Sequence, residues 1–186
     1  IILNEHTHGE WENVMERQYG NFDYLMGCDI EYRNPAVREE LKKWGKWYIE
    51  TTGVDGFRLD AVKHIAIDFF PEWLPFLKES FQRDLLCIGE YWKADINALV
   101  SYIDATGGMI QLFDVPLHFN FYKASKEGKG FDLRTIFDHT LVTAKPELAI
   151  TFVDNHDTQP LQSLESWVEP WFKPHAYAMI LLRKQG

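Results

Sequence analysis

Three short segments of the sequence each combine a buried-strand pattern with an acidic residue at its end. The segments are GFRLDAVKH at residues 56–64, IGEYW at residues 88–92 and FVDNHD at residues 152–157. Carboxylates at the C-terminal ends of successive parallel strands converge in a barrel, although they are far apart in the sequence. We therefore take Asp60, Glu90 and Asp157 as candidate catalytic residues.

Paired carboxylates can hydrolyse a glycosidic bond: one protonates the leaving oxygen, and the other attacks the sugar or activates water. Arg58 lies two residues before Asp60 on the same strand face, so its guanidinium can keep Asp60 ionised, as a nucleophile requires. Glu90 has apolar and aromatic neighbours and no adjacent cation in the sequence. Because an apolar setting favours the protonated form of a general acid, we predict different roles for the two carboxylates.

Asp157 directly follows His156, and both side chains could contact hydroxyl groups of a bound sugar. His156 would hydrogen-bond the sugar in the cleaved position, while Asp157 would hold neighbouring hydroxyls and favour a distorted ring. Each of the three acids also has a structural alternative, as a helix cap or as a partner of Arg58. Their positions on successive units favour the catalytic interpretation.

A second group of residues suggests a different chemistry, because His6 and His8 form an HxH pair. On a strand, this spacing brings two imidazoles to one face, where they could bind a metal. With His64 and His118, the pair would indicate a metal-dependent hydrolase on the same barrel. The surrounding EHTHGE segment has no strand pattern, however, and imidazoles on a solvated loop are the alternative.

The candidate residues lie on predicted strands that alternate with predicted helices. Asn34 can cap a helix, Pro35 suits its first turn, and apolar residues recur at helical spacing until Gly53 ends it. The other predicted elements are strands at 56–62, 85–91, 109–115 and 148–153, and helices opening at Pro71, Asp95, Asp132 and Pro174. The helix from Asp132 is predicted to extend to Lys145.

This alternation predicts the α/β class, with a parallel sheet covered by helices, either as a barrel or as a doubly wound sheet. No glycine-rich nucleotide motif follows any strand, and acids at strand ends favour the barrel. About four strand-helix units are half of a (β/α)8 TIM barrel, so we predict its central segment. The chain starts at Ile1 and ends at Gly186 within a helical pattern, so we expect it to be part of a longer protein.

Composition excludes some classes of partner. The formal net charge of -9 argues against nucleic acid, whose backbone is bound through Lys and Arg. No apolar run approaches the length of a membrane span, and the N-terminus lacks a signal-peptide pattern. Cys28 and Cys87 match no metal or redox motif, so we interpret both as small apolar residues. Aromatic residues make up 15% of the chain and suit both core packing and sugar stacking.

The motifs together resemble the α-amylase family of retaining glycoside hydrolases. GFRLDAVKH, IGEYW and FVDNHDTQ match three family motifs in the correct order, and YLMGCDIEYRNP resembles the return from the family's small inserted domain. The chain is most similar to bacterial liquefying-type and cytoplasmic α-amylases. The resemblance implies a tail of the inserted domain at residues 1–31 and a partial (β/α)8 catalytic barrel at residues 32–186.

The resemblance also assigns roles to individual residues. Asp60 matches the nucleophile, Glu90 the general acid/base and Asp157 the acid that stabilises the transition state. The other matched positions are the helpers Arg58 and His156 and the lining of the leaving-group sugar sites, Lys63, His64 and Trp92. These roles imply endo-acting hydrolysis of α-1,4 bonds in starch or glycogen with retention of configuration.

Structural calcium is implied by the same resemblance. Asp23 and Asp29 match side-chain ligands, and His64 matches a position that supplies its backbone carbonyl, all of them hard oxygen donors. Two solvated loop carboxylates are the alternative for Asp23 and Asp29. Glu12 and Glu31 stand where relatives often carry Asp, so a second metal site is not predicted.

The remaining expectations concern the setting of the protein. We expect an α-glucan substrate, a monomer, no nucleic-acid or membrane partner, and a cytoplasmic location, with secretion as the alternative. A non-catalytic carbohydrate-binding barrel is the competing function. The presence of all three candidate acids favours the enzyme over that binding module.

Overall fold

The computed structural model describes residues 30–184 and contains alternating helices and short strands. The elements are α1 (Pro35–Thr52), β1 (Gly56–Leu59), α2 (Phe70–Phe81), β2 (Leu86–Gly89), α3 (Ile96–Ala105), β3 (Gln111–Phe113), α4 (Val115–Glu127), α5 (Leu141–Ala144), β4 (Ala149–Ile150) and α6 (Lys173–Leu181). Single 3-10 turns occur at Val62–His64, Gly128–Gly130, Leu133–Thr135 and Pro146–Leu148. None of the helices in residues 30–184 is long and apolar enough to cross a membrane.

The described residues fall into two compact units. One comprises the residues up to Glu90 with Asp104–Ile110, and the other comprises Tyr91–Ile103 with the residues from Gln111 onward. Each unit contains one pair of parallel strands, β1 with β2 in the first and β3 with β4 in the second. The predicted α/β class with parallel strands is therefore confirmed.

In the first unit, the pairing of β1 with β2 depends on a glycine. The register aligns Gly56 with Leu86 and Leu59 with Gly89. A Cβ atom on Gly56 would lie 1.9 Å from the carbonyl oxygen of Leu86, so no other residue permits this approach of the two backbones. Gly56 thus sets the register that carries through to the C-terminal ends of both strands.

The core of the first unit forms where α1 and α2 cover the face of β1 that carries Phe57. The ring of Trp73, on α2, lies 5.2 Å from the ring of Phe57, and its indole N–H donates to the Leu41 carbonyl at 3.0 Å. Gly45 makes room for this ring, because a Cβ there would lie 2.8 Å from it. Cys87 is also buried, and burial raises the pKa of its thiol to about 11, in agreement with an unreactive apolar role.

Helix ends predicted from the sequence are confirmed for α1. The Asn34 side chain accepts a hydrogen bond from the Ala36 N–H at 3.0 Å, and Pro35 is the first helical residue. Gly53 ends the helix in the left-handed conformation, with φ of 70°. Helices near the other predicted starts are α2, α3 and α6, whereas all four strands are shorter than predicted.

The second unit contains the main error of the sequence prediction. Residues 132–145 do not form one helix: a 3-10 turn, a left-handed His139 with φ of 56° and the short α5 occupy this stretch. The 13-residue α4 was not predicted at all. One buried carboxylate accounts for both differences, because Asp114 accepts hydrogen bonds from Leu117 N at 3.1 Å, Leu141 N at 3.0 Å and Val142 N at 2.7 Å.

Asp114 therefore caps α4 and α5 at the same time. Its side chain is fully buried, and burial raises the pKa of the carboxyl despite the opposing effect of the three N–H donors. Its own N–H donates to the Ile150 carbonyl at 2.9 Å, which extends the pairing of β3 with β4. This one residue joins a strand end to two helix starts that lie far apart in the sequence.

Candidate active site

The ends of β1 and β2 bring two of the predicted carboxylates together in the first unit. Leu59 pairs with Gly89, and the next residue on each strand is Asp60 or Glu90. The backbone of Glu90 continues the ladder, since its N–H donates to the Leu59 carbonyl at 2.8 Å and its carbonyl accepts from Val62 N at 3.0 Å. Adjacent strands lie about 4.8 Å apart, so the register places these two residues side by side.

Arg58 contacts both carboxylates. Its Nη1 atom donates to Oδ1 of Asp60, as the shared strand face predicts, and its Nη2 atom lies 3.8 Å from Oε2 of Glu90. Glu90 therefore has a neighbouring cation in space, although none is adjacent to it in the sequence. The cation comes from the neighbouring strand, and adjacency in the sequence does not reveal a contact that strand register creates.

The two carboxylates differ in their exposure. The side chain of Asp60 is 73% exposed, whereas that of Glu90 is 9% exposed. Asp60 therefore presents its carboxylate to solvent beside Arg58, whereas the carboxyl group of Glu90 is enclosed by the protein. The predicted difference in environment is thus present, although Arg58 moderates it at Glu90.

Ala61, which the sequence analysis did not select, links the two carboxylates through its backbone. Its N–H donates to Oε2 of Glu90 at 2.9 Å, and its φ of 46° lies in the left-handed region. A non-glycine residue in such a conformation costs about 1 kcal/mol or more, and such residues cluster at functional sites. The strained residue follows Asp60, just beyond the end of β1, and leads into the 3-10 turn Val62–His64.

That 3-10 turn carries two of the predicted sugar-contacting residues. Lys63 and His64 are both partly exposed, directly after the turn that separates them from Asp60. The N–H of His64 donates to the Ala61 carbonyl at 2.9 Å, which holds the turn closed. The turn at Ala61 therefore positions Lys63 and His64, and its N–H also contacts Glu90.

Asp157 and His156 lie in the second unit, in a turn after β4. The side chain of Asn155 accepts hydrogen bonds from Asp157 N and Thr158 N, each at 3.0 Å, which fixes this turn. Nε2 of the exposed His156 lies 3.2 Å from Oδ2 of Asp157. The two predicted neighbours thus contact each other.

Trp92 also belongs to the second unit, where other aromatic rings surround it. Ring centroids of His118, Phe152 and Phe119 lie 5.7, 6.0 and 6.2 Å from that of Trp92. The indole is partly exposed, so it combines a fixed position with an accessible surface. Such a ring is suited to stacking against the apolar face of a sugar.

His118 was considered in the sequence only as a possible metal ligand, and the structure contradicts that interpretation. Both ring nitrogens contact protein atoms: Nδ1 lies 2.7 Å from the Val153 carbonyl and Nε2 lies 2.8 Å from the Ser166 hydroxyl. The side chain is fully buried. No motif in the sequence identifies this residue, because its partners lie 35 and 48 positions further along the chain.

The predicted metal ligands fall mostly outside the described residues. Asp23 and Asp29 lie outside them, as do His6, His8 and Glu12, so only His64 of the predicted calcium ligands can be placed. Within residues 30–184, no three His, Cys, Asp or Glu residues cluster in a way that would hold a metal. Glu31, also considered near the metal cluster, instead accepts hydrogen bonds from Arg33 at 2.7 to 2.9 Å. Calcium remains a prediction.

Comparison with known proteins places this arrangement in a family. Residues 4–181 match the alpha-amylase family, described as the alpha amylase catalytic domain. The chain is 54% identical to an alpha-amylase of Geobacillus stearothermophilus, over 95% of this chain and 32% of that protein. It is 50% identical to the cytoplasmic alpha-amylase of Escherichia coli, over 100% of this chain and 37% of that protein. The chain belongs to the alpha-amylase family, and it spans about a third of the length of these relatives.

Solved structures support the same fold. An Anoxybacillus alpha-amylase superposes with a TM-score of 0.57 at 29% identity, over 70% of this chain and 29% of that one. A cyclomaltodextrin glucanotransferase gives a TM-score of 0.67 at 24% identity, over 88% of this chain and 35% of that one, and shows the fold alone. The resemblance inferred from the three motifs is confirmed, and so is the assignment to a segment of a barrel enzyme.

Proposed function

We propose that the intact protein hydrolyses internal α-1,4-glucosidic bonds of starch or glycogen with retention of configuration. The observation that carries this proposal is the contact of Arg58 with an exposed Asp60 and a buried Glu90. Retaining hydrolysis needs two neighbouring carboxyl groups, one ionised and one protonated. The names of the relatives, several of which are alpha-amylases, support the α-glucan as substrate.

Asp60 is the nucleophile in this proposal. Its exposed carboxylate is accessible to a bound sugar, and the bond from Arg58 fixes one oxygen, so that the other can approach the anomeric carbon. Attack forms a covalent glycosyl-enzyme ester and breaks the bond to the leaving oxygen. The guanidinium also orients the carboxylate before the substrate binds, which reduces the entropy lost on reaching the transition state.

Glu90 is the general acid, and its hydrogen bonds indicate which oxygen carries the proton. Oε2 accepts the Ala61 N–H and faces Arg58, two interactions that favour an oxygen without a proton. We therefore place the proton on Oε1, from which it passes to the leaving sugar oxygen. Burial of the side chain stabilises this neutral form before the reaction.

Arg58 connects the two steps of the reaction. Before attack, the negative charge of Asp60 neutralises the guanidinium, and a second negative charge on Glu90 is disfavoured. Once Asp60 has become an ester, it carries no charge, and the full positive charge of Arg58 acts on Glu90 at 3.8 Å. The ionised Glu90 then removes a proton from the water that hydrolyses the ester.

The remaining roles follow the family resemblance. Asp157 stabilises the transition state with His156 beside it, and Lys63, His64 and Trp92 contact sugars on the leaving-group side. Calcium would be held by the side chains of Asp23 and Asp29 and the carbonyl of His64, where it would tie loops together. We further propose a monomer in the cytoplasm, the location given in the name of the Escherichia coli relative.

The proposal is tested by two matched substitutions at opposite ends of β1 in the intact protein. Asp60→Asn removes the nucleophile and is expected to lower kcat on starch by roughly 10³-fold or more. Asp55→Asn is the control, because Asp55 also pairs with an arginine, Arg83, at 2.8 Å but lies at the start of the strand. The assay measures new reducing ends and the iodine staining of the remaining starch. If internal bonds are cut, the staining decreases early, while few reducing ends have formed.

The stereochemistry supplies a second result. Proton NMR of the first products is expected to show the α-anomer, because two displacements at the anomeric carbon restore the original configuration. Initial release of the β-anomer, or equal kcat values for wild type and Asp60→Asn, would exclude the proposed mechanism. If Asp55→Asn lost activity to the same extent, the effect of Asp60→Asn would be explained by damage to the fold and not by loss of the nucleophile.

A further inference from the structure

His118 lies on α4, at the centre of a buried contact between three segments of the second unit. Its ring stacks on that of Phe152, with centroids 5.0 Å apart and planes 9° from parallel. Its two nitrogens contact the Val153 carbonyl and the Ser166 hydroxyl. Because the side chain is fully buried, each of these contacts is protected from water.

The partners define the protonation of the ring. A carbonyl oxygen only accepts, so Nδ1 carries a proton and donates it to Val153. Burial lowers the pKa of His118, which favours the neutral ring, in which Nε2 is an acceptor. Nε2 then receives the single proton of the Ser166 hydroxyl, although the Leu164 carbonyl, at 2.8 Å, could also accept it.

These two partners connect His118 to the two ends of the segment that carries Asp157, Val153 directly and Ser166 through Thr158. Val153 precedes it, and Ser166 is tied to its other end through the bond from Ser166 N to the Thr158 carbonyl at 2.9 Å. Within the segment, the Asn155 side chain fixes Asp157 N and Thr158 N. His118 thus joins α4 to both ends of the turn at residues 153–158.

Trp92 depends on the same imidazole. The rings of His118, Phe152 and Trp92 pack against one another. The His118 centroid lies 5.0 Å from that of Phe152 and 5.7 Å from that of Trp92, and the last two are 6.0 Å apart. A change in the tilt of His118 would therefore move the surface that Trp92 presents. One buried side chain thus contacts the supports of two predicted substrate-facing residues, Trp92 and Asp157.

We infer that His118 is a positioning residue for the hydrolysis proposed above, holding the Asp157 turn through its bond to the Val153 carbonyl and supporting Trp92 through its ring. The inference rests on the proposed function, since Asp157 and Trp92 take their roles from it. His118 itself does not touch the substrate in this account. Its effect is on the placement of Asp157 relative to the reacting sugar.

Two substitutions in the intact protein separate the ring from its hydrogen bonds. His118→Phe keeps an aromatic ring beside Trp92 and Phe152 but removes both hydrogen bonds. His118→Asn loses the ring and keeps an N–H near the position of Nδ1, so the bond to Val153 can persist. The control is Thr140→Val, which removes a buried hydroxyl whose hydrogen bonds are to the Phe137 carbonyl at 2.8 Å and the Thr143 hydroxyl at 3.0 Å.

We expect His118→Phe to lower kcat by about tenfold with KM changed less than about twofold, because misplacement of a group acting on the transition state affects mainly kcat. His118→Asn should recover kcat to within about threefold of wild type. Thr140→Val should leave kcat unchanged even where its thermal unfolding midpoint is lower. All assays are run well below the lowest unfolding midpoint.

The outcomes distinguish this inference from the proposed function. An active wild type with unchanged kcat in folded His118→Phe would overturn the inference alone. Activities that follow the unfolding midpoints across all three variants would also overturn it, since they would indicate a purely structural role. A folded wild type that releases no reducing ends from starch would overturn the proposed function and the inference with it.

Discussion

The Asp60–Glu90 site and the Asp157 turn are built in different ways. In the first, two neighbouring strands carry the acids, and one arginine and one strained backbone N–H contact them. In the second, one acid lies in a turn that the Asn155 side chain closes locally, and His118 and Ser166 connect this turn to residues far along the chain. The first geometry follows from strand register, whereas the second depends on tertiary contacts.

This difference predicts how each region responds to change. Substitutions near Asp60 and Glu90 act on charges and should alter the chemical steps with little effect on the fold. Substitutions around the Asp157 turn act on buried hydrogen bonds and should alter stability as well as rate. The following predictions test this contrast, from the largest expected effect to the smallest.

Among the variants that compare the two regions, Glu90→Gln should have the largest effect. Loss of the general acid is expected to lower kcat on starch by roughly 10³-fold, because amide nitrogen cannot donate the proton that the leaving oxygen needs. The first step should be largely restored on a maltooligosaccharide with a dinitrophenyl leaving group, measured as a rapid burst of dinitrophenol. Glu79→Gln, at an exposed position on α2, is the control. Equal losses on both substrates would contradict the role of Glu90 as an acid.

Arg58→Lys tests whether one cation serves both carboxylates. A single ammonium group cannot reproduce the two contacts of the guanidinium, so we expect kcat to fall by about 10- to 100-fold with a near-normal unfolding midpoint. Arg83→Lys is the matched control, since Arg83 pairs with Asp55 at the other end of β1. Steady-state kinetics and thermal unfolding check both variants. An unchanged kcat in Arg58→Lys would show that the shared contact is dispensable.

His118, beside the Asp157 turn, should make the stability of the protein depend on pH. The pKa of His118 is lowered in the folded state, mainly by burial, with Asp154 opposing the shift. As pH falls below the ordinary value of 6.5, the unfolded chain therefore binds a proton that the folded chain does not, and stability decreases. Through this residue, the free energy of unfolding falls by up to about 1.4 kcal/mol for each unit by which the pH decreases.

His118→Phe should remove the part of the pH dependence of the unfolding free energy that comes from His118. Urea unfolding between pH 5 and 7, compared for wild type and variant, measures it. The difference in unfolding free energy should shrink as pH falls, because only the wild type loses stability through this group. A constant difference across the range would mean that His118 does not resist protonation in the folded protein.

Ala61→Gly should have the smallest effect, and in the opposite direction. Relief of the left-handed strain is expected to raise the free energy of unfolding by about 0.5 kcal/mol, after the added entropy of the unfolded chain is subtracted. The N–H that contacts Glu90 remains, so kcat should stay within about twofold. Ala98→Gly, inside α3, is the control and should lower stability by about 1 kcal/mol. A destabilised Ala61→Gly would show that the turn is not strained.

Local signals predicted part of this structure well. Asn34, Pro35 and Gly53 define α1 because caps and proline act within a few residues of their own position. Asp60 with Arg58 could be recognised because both lie on one strand face. The strands were predicted too long, since the turn at Ala61 ends β1 where the acids begin.

Other features depend on contacts that the sequence does not display. Asp114 caps α5 through Leu141 and Val142, which lie 27 and 28 positions further along the chain. The helix therefore starts at Leu141 and not at the predicted Asp132. The contact of Arg58 with Glu90 comes from the register set by Gly56, and the role of His118 comes from two partners on distant loops. Periodicity identifies elements, but pairing between distant residues decides where they end and which charges meet.

The central claim is that Asp60 forms a covalent bond with the substrate. A fluorinated α-glucosyl fluoride that slows the second step should accumulate the ester, and mass spectrometry of the intact protein should show one added fluoroglucosyl group. Peptide mapping is predicted to place the label on Asp60, with no label in Asp60→Asn. A label on a different carboxylate, or hydrolysis with no covalent intermediate and inverted product, would contradict the account.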